Sequence, residues 1–255
     1  MARTHLFEFG DQPWLPSFIR DAMTDYLSFA MRVTRQDSLV MPPIVAAVRA
    51  SGADRIVDLA AGGGGLTDCL VDTLKSEGLD TRLLLSDLFP NTRALTELAA
   101  RHPGVEAVLE PQDARAVPRE RSGLRMMINA FHHLRPDEGR AVLKSAHDAG
   151  QPIVIVELVG RELPFIVGML FTPLISTLTA AFWKPFRLTN LLFTWVFPVI
   201  QPLIAFDGVV SCLRVYSKDE LMGLVEGLDD FTWTVERPPL GNEMTRATVL
   251  LGLPK

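Results

Sequence analysis

Residues Asp54–Leu66 read DRIVDLAAGGGGL. The apolar run Ile56, Val57 and Leu59 carries Asp58 within it and breaks on four consecutive glycines, Gly62 to Gly65. Leu66, Leu70, Val71 and Leu74 follow at helical spacing, so the stretch predicts a strand, a glycine turn and a helix. That is the opening unit of a doubly wound α/β domain that holds a nucleotide-like ligand. Glycine admits a positive φ there and lets a ligand reach the backbone where a Cβ would collide with it. A glycine turn also serves as a plain β–α connection, and the residues that follow decide between the two.

Downstream, Thr81–Ser86 predicts a second strand that ends at Asp87. One helix of crossover length lies between the strands, which implies a parallel pair. Asp87 stands at a strand's carboxyl end about twenty residues past the glycines, where an acidic side chain accepts hydrogen bonds from ribose hydroxyls in dinucleotide folds. It also suits a helix N-cap for Asn91 onward. Val105–Leu109 reads as a third strand ending near Gln112 and Asp113, and Leu124–Ala130 as a fourth, followed at once by Phe131-His132-His133-Leu134. Pro136 opens a helix with Asp137 and Glu138 in its first turn, where the helix dipole favours negative charge. A fifth strand, PIVIVELV, carries Glu157 near its carboxyl end. This alternation indicates a mostly parallel sheet covered on both faces. Ser217 to Glu220 forms a capping box, and FTWTVERPPL and RATVLLGLP read as an antiparallel pair joined by a Gly241-Asn242 turn.

Upstream, Phe18, Ile19, Ala22, Met23, Tyr26, Leu27 and Ala30 share one helical face with Ser17 as the expected N-cap, and a second helix is expected from Pro42 to Ala50. These helices either pack on the sheet or close over a ligand. The 255 residues, 48% hydrophobic and 22% charged, suit one domain of ordinary size with an insertion. A net charge of −5 provides no global basic field for nucleic acid. Cys69 and Cys212 match no zinc or redox spacing, and both read as core packing. No metal site is expected. The N-terminal MARTHLFEFGDQPW has neither an apolar signal core nor a cleavage pattern, so a cytoplasmic location is the expectation.

The order of these elements resembles the class I S-adenosylmethionine-dependent methyltransferases, over roughly residues 54–160 and 217–254. DLAAGGGG after the first strand, Asp87 after the second, Asp113 after the third, NAFHHL closing the fourth and the terminal hairpin carry the resemblance. It implies a doubly wound, Rossmann-like, mostly parallel seven-stranded α/β sheet with one antiparallel strand, and S-adenosylmethionine across the strand ends. By position, Asp58 and the Gly62–Gly64 backbone would hold the methionine moiety. Asp87, with Leu88 beside it, would bind the ribose. Gln112, Asp113 and Ala114 would lie by the adenine, and Asn129 beside the sulfonium. Ala60 stands where the family usually has its first glycine. The implied domains are an N-terminal helical extension over 1–52, the Rossmann-like domain over 53–160 and 211–255, and an apolar helical insertion over 161–210.

Methyl transfer from a sulfonium requires positioning and desolvation, and a base only where the acceptor is protonated. His132 and His133, after the fourth strand, are candidate bases, and Glu157 is the other ionisable candidate. A structural or cofactor-lining role is the alternative for the two histidines. No Asn/Asp-Pro-Pro-Tyr signature follows the fourth strand, which argues against amino-methylation of nucleic-acid bases or protein glutamine.

Leu163–Trp183 and Leu188–Phe206 contain no charged residue, and Lys184-Pro185-Phe186-Arg187 separates them. By length each run approaches a membrane span, but Pro164, Pro173, Pro198 and Pro202 interrupt them. Three readings stand: a lid forming an apolar acceptor pocket, a hairpin lying in a membrane surface peripheral to its inner face, or a homodimer contact. Asp207-Gly208 reads as a turn closing the insertion; Arg214 and Tyr216 reach toward an acceptor pocket, or Arg214 pairs with a nearby carboxylate. The expected function is methyl transfer to a small apolar or aromatic acceptor. The alternatives are a membrane-surface methyltransferase acting on a lipid or quinone, and a non-catalytic cofactor-binding partner protein.

Overall fold

The computed structural model describes residues 2–240 and 244–255; the expected Gly241-Asn242 turn lies outside them. The chain forms two compact units. One comprises Asp37–Leu158, Tyr216–Pro238 and Ala247–Lys255, the other Met1–Gln36, Val159–Val215 and Pro239–Arg246.

The first unit is built on the sheet. Its strands are β1 (Arg55–Asp58), β2 (Arg82–Leu85), β3 (Val105–Ala107), β4 (Leu124–Ile128), β5 (Ile153–Glu157), β6 (Phe231–Glu236) and β7 (Thr248–Pro254). They lie in the order β3-β2-β1-β4-β5-β7-β6. β3 through β5 pair in parallel, with Ile56 opposite Leu83 on one side of β1 and opposite Leu124 on the other. β7 runs antiparallel to both β5 and β6, so it is the one reversed strand. Every residue of β5 is buried, as expected of a strand covered on both faces, whereas the edge strand β6 alternates. Strand order reverses between β2-β1 and β4-β5, and the crevice at that switch point opens at the strands' carboxyl ends.

The connecting helices are α3 (Thr67–Ser76), α4 (Thr92–Arg101), α5 (Pro136–Asp148) and α10 (Lys218–Leu224). Asn91 Oδ1 accepts the Ala94 amide at 3.1 Å and so caps α4, which relieves Asp87 of that role. Ser217 Oγ accepts the Glu220 amide while the Glu220 carboxylate accepts the Ser217 amide, completing the expected capping box. α2 (Asp37–Ser51) starts ahead of the expected Pro42 and holds Pro42 and Pro43 inside it. Val40, Ile44 and Ala47 of this helix are fully buried, and α2 packs on β4, β5 and β7; that burial outweighs the hydrogen bonds the prolines remove. The core joins Val57, Leu84, Met127, Phe131, Leu143 and Leu250. Cys69 on α3 is only half-buried, because its helix turns that face outward.

The second unit is helical. Its main elements are α1 (Ser17–Val33), α6 (Leu163–Leu170), α7 (Thr172–Thr179), a 3-10 turn (Ala180–Phe182), α8 (Leu188–Leu191) running into a π turn (Leu192–Val196), and α9 (Ile200–Arg214). Pro16, rather than Ser17, occupies the N-cap of α1, and the Ile19 and Arg20 amides bond to its carbonyl. Tyr26 and Trp183 meet edge to face at 5.4 Å within a core that includes Ala22, Ala180, Ile200 and Ile204. Asp207-Gly208 is not a turn but the middle of α9. The Asp207 carboxylate accepts the Phe9 and Gly10 amides, each at 2.8 Å, and burial pushes its pKa up to about 6. At Gly208 an added Cβ would lie 2.8 Å from Met169 Sδ, so glycine here serves close helix packing. Arg214 pairs with Glu8 and Asp11 at 2.9 Å each, as the expected carboxylate partner. Cys212 is buried, which pushes its thiol up to about 12.

Among the described residues no single helix is long and apolar enough to cross a membrane. Two bent pairs reach that combined length: Leu163–Leu170 with Thr172–Phe182, bent by 44°, and Leu188–Val196 with Ile200–Arg214, bent by 90°.

Gly123, just ahead of β4, has φ +141°, and a Cβ there would sit 2.5 Å from the Arg55 carbonyl oxygen of β1. Gly123→Ala is expected to cost about 2–4 kcal/mol of stability through strain and overpacking, read as a lowered urea midpoint at unchanged slope.

Candidate active site

The carboxyl ends of β1 and β2 are tied together by one side chain. Asp87 Oδ2 accepts the Gly62 amide at 2.7 Å, and its Oδ1 accepts the Phe89 amide at 2.7 Å. Gly62 reaches this bond with φ +55°, a conformation glycine adopts at no steric cost. The glycine run divides its work. A Cβ on Gly62 or Gly63 would meet nothing within 4 Å, so their backbone faces open space, whereas a Cβ on Gly64 would strike Leu98 Cδ1 at 2.1 Å. Gly64 therefore lets the turn pack on α4. Ala60 packs against the core cluster.

Asp58 ends β1, and its Oδ1 accepts the Ala60 amide at 3.1 Å. Desolvation pushes the Asp58 carboxyl up to about 7; the Asp87 charge adds to the rise and the Ala60 amide opposes it. No cation enters that balance. Two carboxylates thus share a site beside bare glycine backbone, and an incoming cation relieves their repulsion.

The loop after β3 is hydrogen-bonded to the same place through the Gln112 amide and the Asp87 carbonyl, at 2.8 Å. The Gln112 side chain is buried and structures its own loop, donating to the Asp113 and Ala116 carbonyls and accepting from Arg121. Asp113 is engaged by Arg115, whose Nη2 lies at 2.7 Å, and hydrogen bonding to that guanidinium holds its carboxyl below the usual range. Ala114 packs on the core, and Leu88 is exposed next to Asp87. Asn129 ends the β4 segment at φ +49°, a conformation asparagine tolerates better than most residues. Its Oδ1 accepts the Leu158 amide at 2.7 Å and its own amide donates to the Val156 carbonyl, so it staples the ends of β4 and β5.

Sequence offered His132 and Glu157 as separate candidates, and the structure pairs them. Both are buried, at 3% and 4% exposure. The His132 amide donates to Glu157 Oε1 at 3.0 Å, and His132 Nδ1 lies 2.7 Å from Glu157 Oε2. Facing a carboxylate, Nδ1 carries the proton, and in the neutral ring the lone pair is then on Nε2. His133 is half-buried, its ring 4.3 Å from that of His132. The 3-10 turn Phe131–His133 that presents them is anchored by Tyr216, whose hydroxyl donates to the Leu134 carbonyl at 2.7 Å and whose ring meets Phe131 at 5.5 Å. Tyr216 is not among the expected cofactor-binding or catalytic site residues. Its anchoring bond spans 82 residues and has no local signature.

No family model matches the sequence, and no curated protein is significantly similar to it. Solved structures are similar. The mitomycin 7-O-methyltransferase MmcR matches with a TM-score of 0.50 at 15% identity over 92% of this chain and 55% of its own. The plantazolicin methyltransferase BpumL, in complex with SAH, matches at 0.52 and 11% identity over 96% of this chain and 92% of its own. The carbon methyltransferase CurJ matches at 0.51 and 13% identity, over 85% and 53%. The fold is that of the class I S-adenosylmethionine-dependent methyltransferases. This chain spans just over half the length of MmcR and of CurJ.

In this methyltransferase fold the His132–Glu157 contact is a buried pair whose loss is measurable without any ligand. Glu157→Ala leaves the His132 amide and ring N–H without their acceptor and is expected to cost about 2–4 kcal/mol. Glu157→Gln keeps a carbonyl oxygen and is expected to cost less than half as much, by chemical denaturation of both variants.

Proposed function

We propose that this chain transfers a methyl group from S-adenosylmethionine to a small apolar or aromatic acceptor. The observation that carries the reading is the Asp58–Asp87 carboxylate pair beside the open Gly62-Gly63 backbone, which fits a ligand bearing both an ammonium group and ribose hydroxyls. Asp58 and the glycine backbone would hold the amino-acid end. Asp87 keeps lone pairs for hydroxyls while it binds two amides, since a carboxylate accepts at about four positions. Leu88 offers an apolar face to the base, and the loop of Gln112, Asp113 and Ala114 would wall it. With Asp113 bound to Arg115, the polar contact to the base falls to the loop backbone. Asn129 would border the reactive centre. Bound there, the cofactor supplies an electrophilic methyl group; the chain supplies position, desolvation and a proton acceptor.

His132 is the proton acceptor in this reading. Glu157 fixes its tautomer and orientation and so acts as a positioning residue, and Nε2 is the ring nitrogen that would take a proton from a hydroxyl or amine acceptor. His133 is the other imidazole on the turn. The two charge-free, aromatic-bearing runs 163–183 and 188–206 support an apolar acceptor.

Calorimetric titration with S-adenosylmethionine and its demethylated product tests the reading. Micromolar binding, with product at least as tight, is expected, and absence of binding to either overturns it. Asp87→Ala is expected to weaken binding by about 2–3 kcal/mol, since buried hydroxyls lose a charged acceptor; an unchanged affinity counts against the assignment.

The pH dependence has a definite sign. A carboxyl raised to about 7 is mostly protonated below that pH in the free protein, so it contributes stability that falls as pH rises from the unfolded value of 3.8 toward 7. A cationic ligand favours the ionised form. Affinity is therefore expected to rise about tenfold or more between mildly acidic and mildly alkaline pH, with proton release visible as a buffer-dependent heat. His132→Gln is expected to slow turnover of a hydroxyl acceptor by about 10²–10⁴-fold at unchanged cofactor affinity.

A further inference from the structure

The helical unit distributes its side chains inside out. Leu163, Val167, Leu170, Leu174, Leu178 and Phe182 recur at spacings of three and four along α6, α7 and the 3-10 turn, and all are exposed; Leu163 is 65% and Leu178 68% accessible. On the same helices Thr172 and Ser176 are buried, Ser176 completely. The next segment repeats the inversion. Leu188, Trp195 and Val196 are exposed, while Asn190, Thr194 and, at the start of α9, Gln201 are buried.

Several of the inward polar groups bond within the unit, although Asn190 Oδ1, Thr194 Oγ1 and Gln201 Oε1 are buried with no hydrogen-bond partner among the described residues. Thr172 Oγ1 donates to the Met169 carbonyl at 2.6 Å, Ser176 Oγ to the Pro173 carbonyl at 3.0 Å, and Asn190 Nδ2 to Asp25 Oδ2 at 3.0 Å. A helical unit stabilised by water turns its apolar stripe inward and its polar face outward. A contiguous exposed apolar surface of this extent marks an interaction face. Small and hydroxyl residues facing neighbouring helices, with hydroxyls bonded back to the preceding turn, are the pattern of helices packed within lipid.

Charge selects the occupant. Between Leu163 and Phe206 the only charged residues are Lys184 and Arg187. Arg187 is paired with Asp21 and Asp25, which leaves Lys184, exposed between the exposed Phe182 and Phe186, as the cation this face presents. A second copy in a two-fold contact would bring that apolar, cation-bearing face against itself with no carboxylate to meet Lys184. An anionic lipid surface meets both features, acyl chains for the stripe and phosphates for the ammonium group. Length sets the depth. α6 and α7 have 8 residues each, about 12 Å apiece at 1.5 Å per residue, against a hydrocarbon core of about 30 Å, and the bends divide the runs further. We propose that the exposed stripe of α6–α7 and the following α8–π segment dock into one leaflet of an anionic bilayer, with Lys184 at the headgroups. The proposal is independent of the methyltransferase reading.

The test is flotation of the full chain, without cofactor, with phosphatidylcholine vesicles with and without phosphatidylglycerol. The wild type is expected to float with both and to partition at least severalfold more strongly into the anionic ones. Leu174→Glu with Leu178→Glu, both at exposed positions, is expected to lower partitioning at least tenfold while keeping the wild-type thermal transition. Leu163→Glu, at the far end of the stripe, gives the same answer should the double variant fold poorly. Lys184→Glu is expected to abolish the anionic preference and retain neutral binding. A wild type that stays unbound with both vesicle types overturns the proposal. So does a solution dimer that the double variant dissociates while neither form floats, which assigns the face to a second copy.

Discussion

The bond from the Gly62 amide to the Asp87 carboxylate fixes the site on which everything else in the sheet unit converges. It spans the ends of two adjacent parallel strands, and a parallel sheet offers no tight turn to hold those ends in register. The cost of the arrangement is electrostatic. Desolvation raises the Asp58 pKa, and closing Asp87 onto the turn adds its charge to that rise. The proposed cofactor would bring positive charge to this pair, and the open side of Gly62 and Gly63 leaves backbone uncovered beside it.

The same logic of neighbouring strand ends produces the second half of the site. β4 and β5 are parallel neighbours, so the turn after β4 and the last residue of β5 emerge side by side. Asn129 staples them, and His132 meets Glu157 one step further along. Burial of the pair makes the Glu157 carboxylate an obligatory acceptor, since an unpaired charge at that depth is costly. Tyr216, arriving from the start of the C-terminal segment, pins the turn from the other side.

Much of this was legible in the sequence because it is local. The strand–glycine–helix run, the alternation that makes a mostly parallel sheet, the Ser217 capping box and the reversed C-terminal strand all leave short-range signatures. What was not legible depends on contacts between distant residues. Asp207-Gly208 has the composition of a turn, yet α9 runs through it because Asp207 caps the Phe9 and Gly10 amides and Gly208 admits Met169. Pro42 and Pro43 look like a helix start, but burial on the sheet carries the helix ahead of them. Asp113 sits at the expected position, and only the fold reveals that Arg115, two residues on, claims its carboxylate.

The two units obey opposite rules, and composition alone shows why the contrast was hard to read. A charge-free run such as 163–183 gives the same hydropathy whether its apolar residues point inward or outward. The discriminating signal is the position of the few polar residues. Thr172 and Ser176 are spaced by one helical turn on the face opposite Leu174 and Leu178, and that face is the buried one. In the sheet unit buried polar groups are exceptions held by specific partners, as His132 is by Glu157. On α7 of the helical unit they lie on the buried face, beside an apolar core of Tyr26, Trp183 and Ile200. The hydrophobic effect in water cannot be what orients α6 and α7, since it would favour the opposite rotation about each helix axis. Packing of small residues and satisfied hydroxyls against α9 sets that rotation instead.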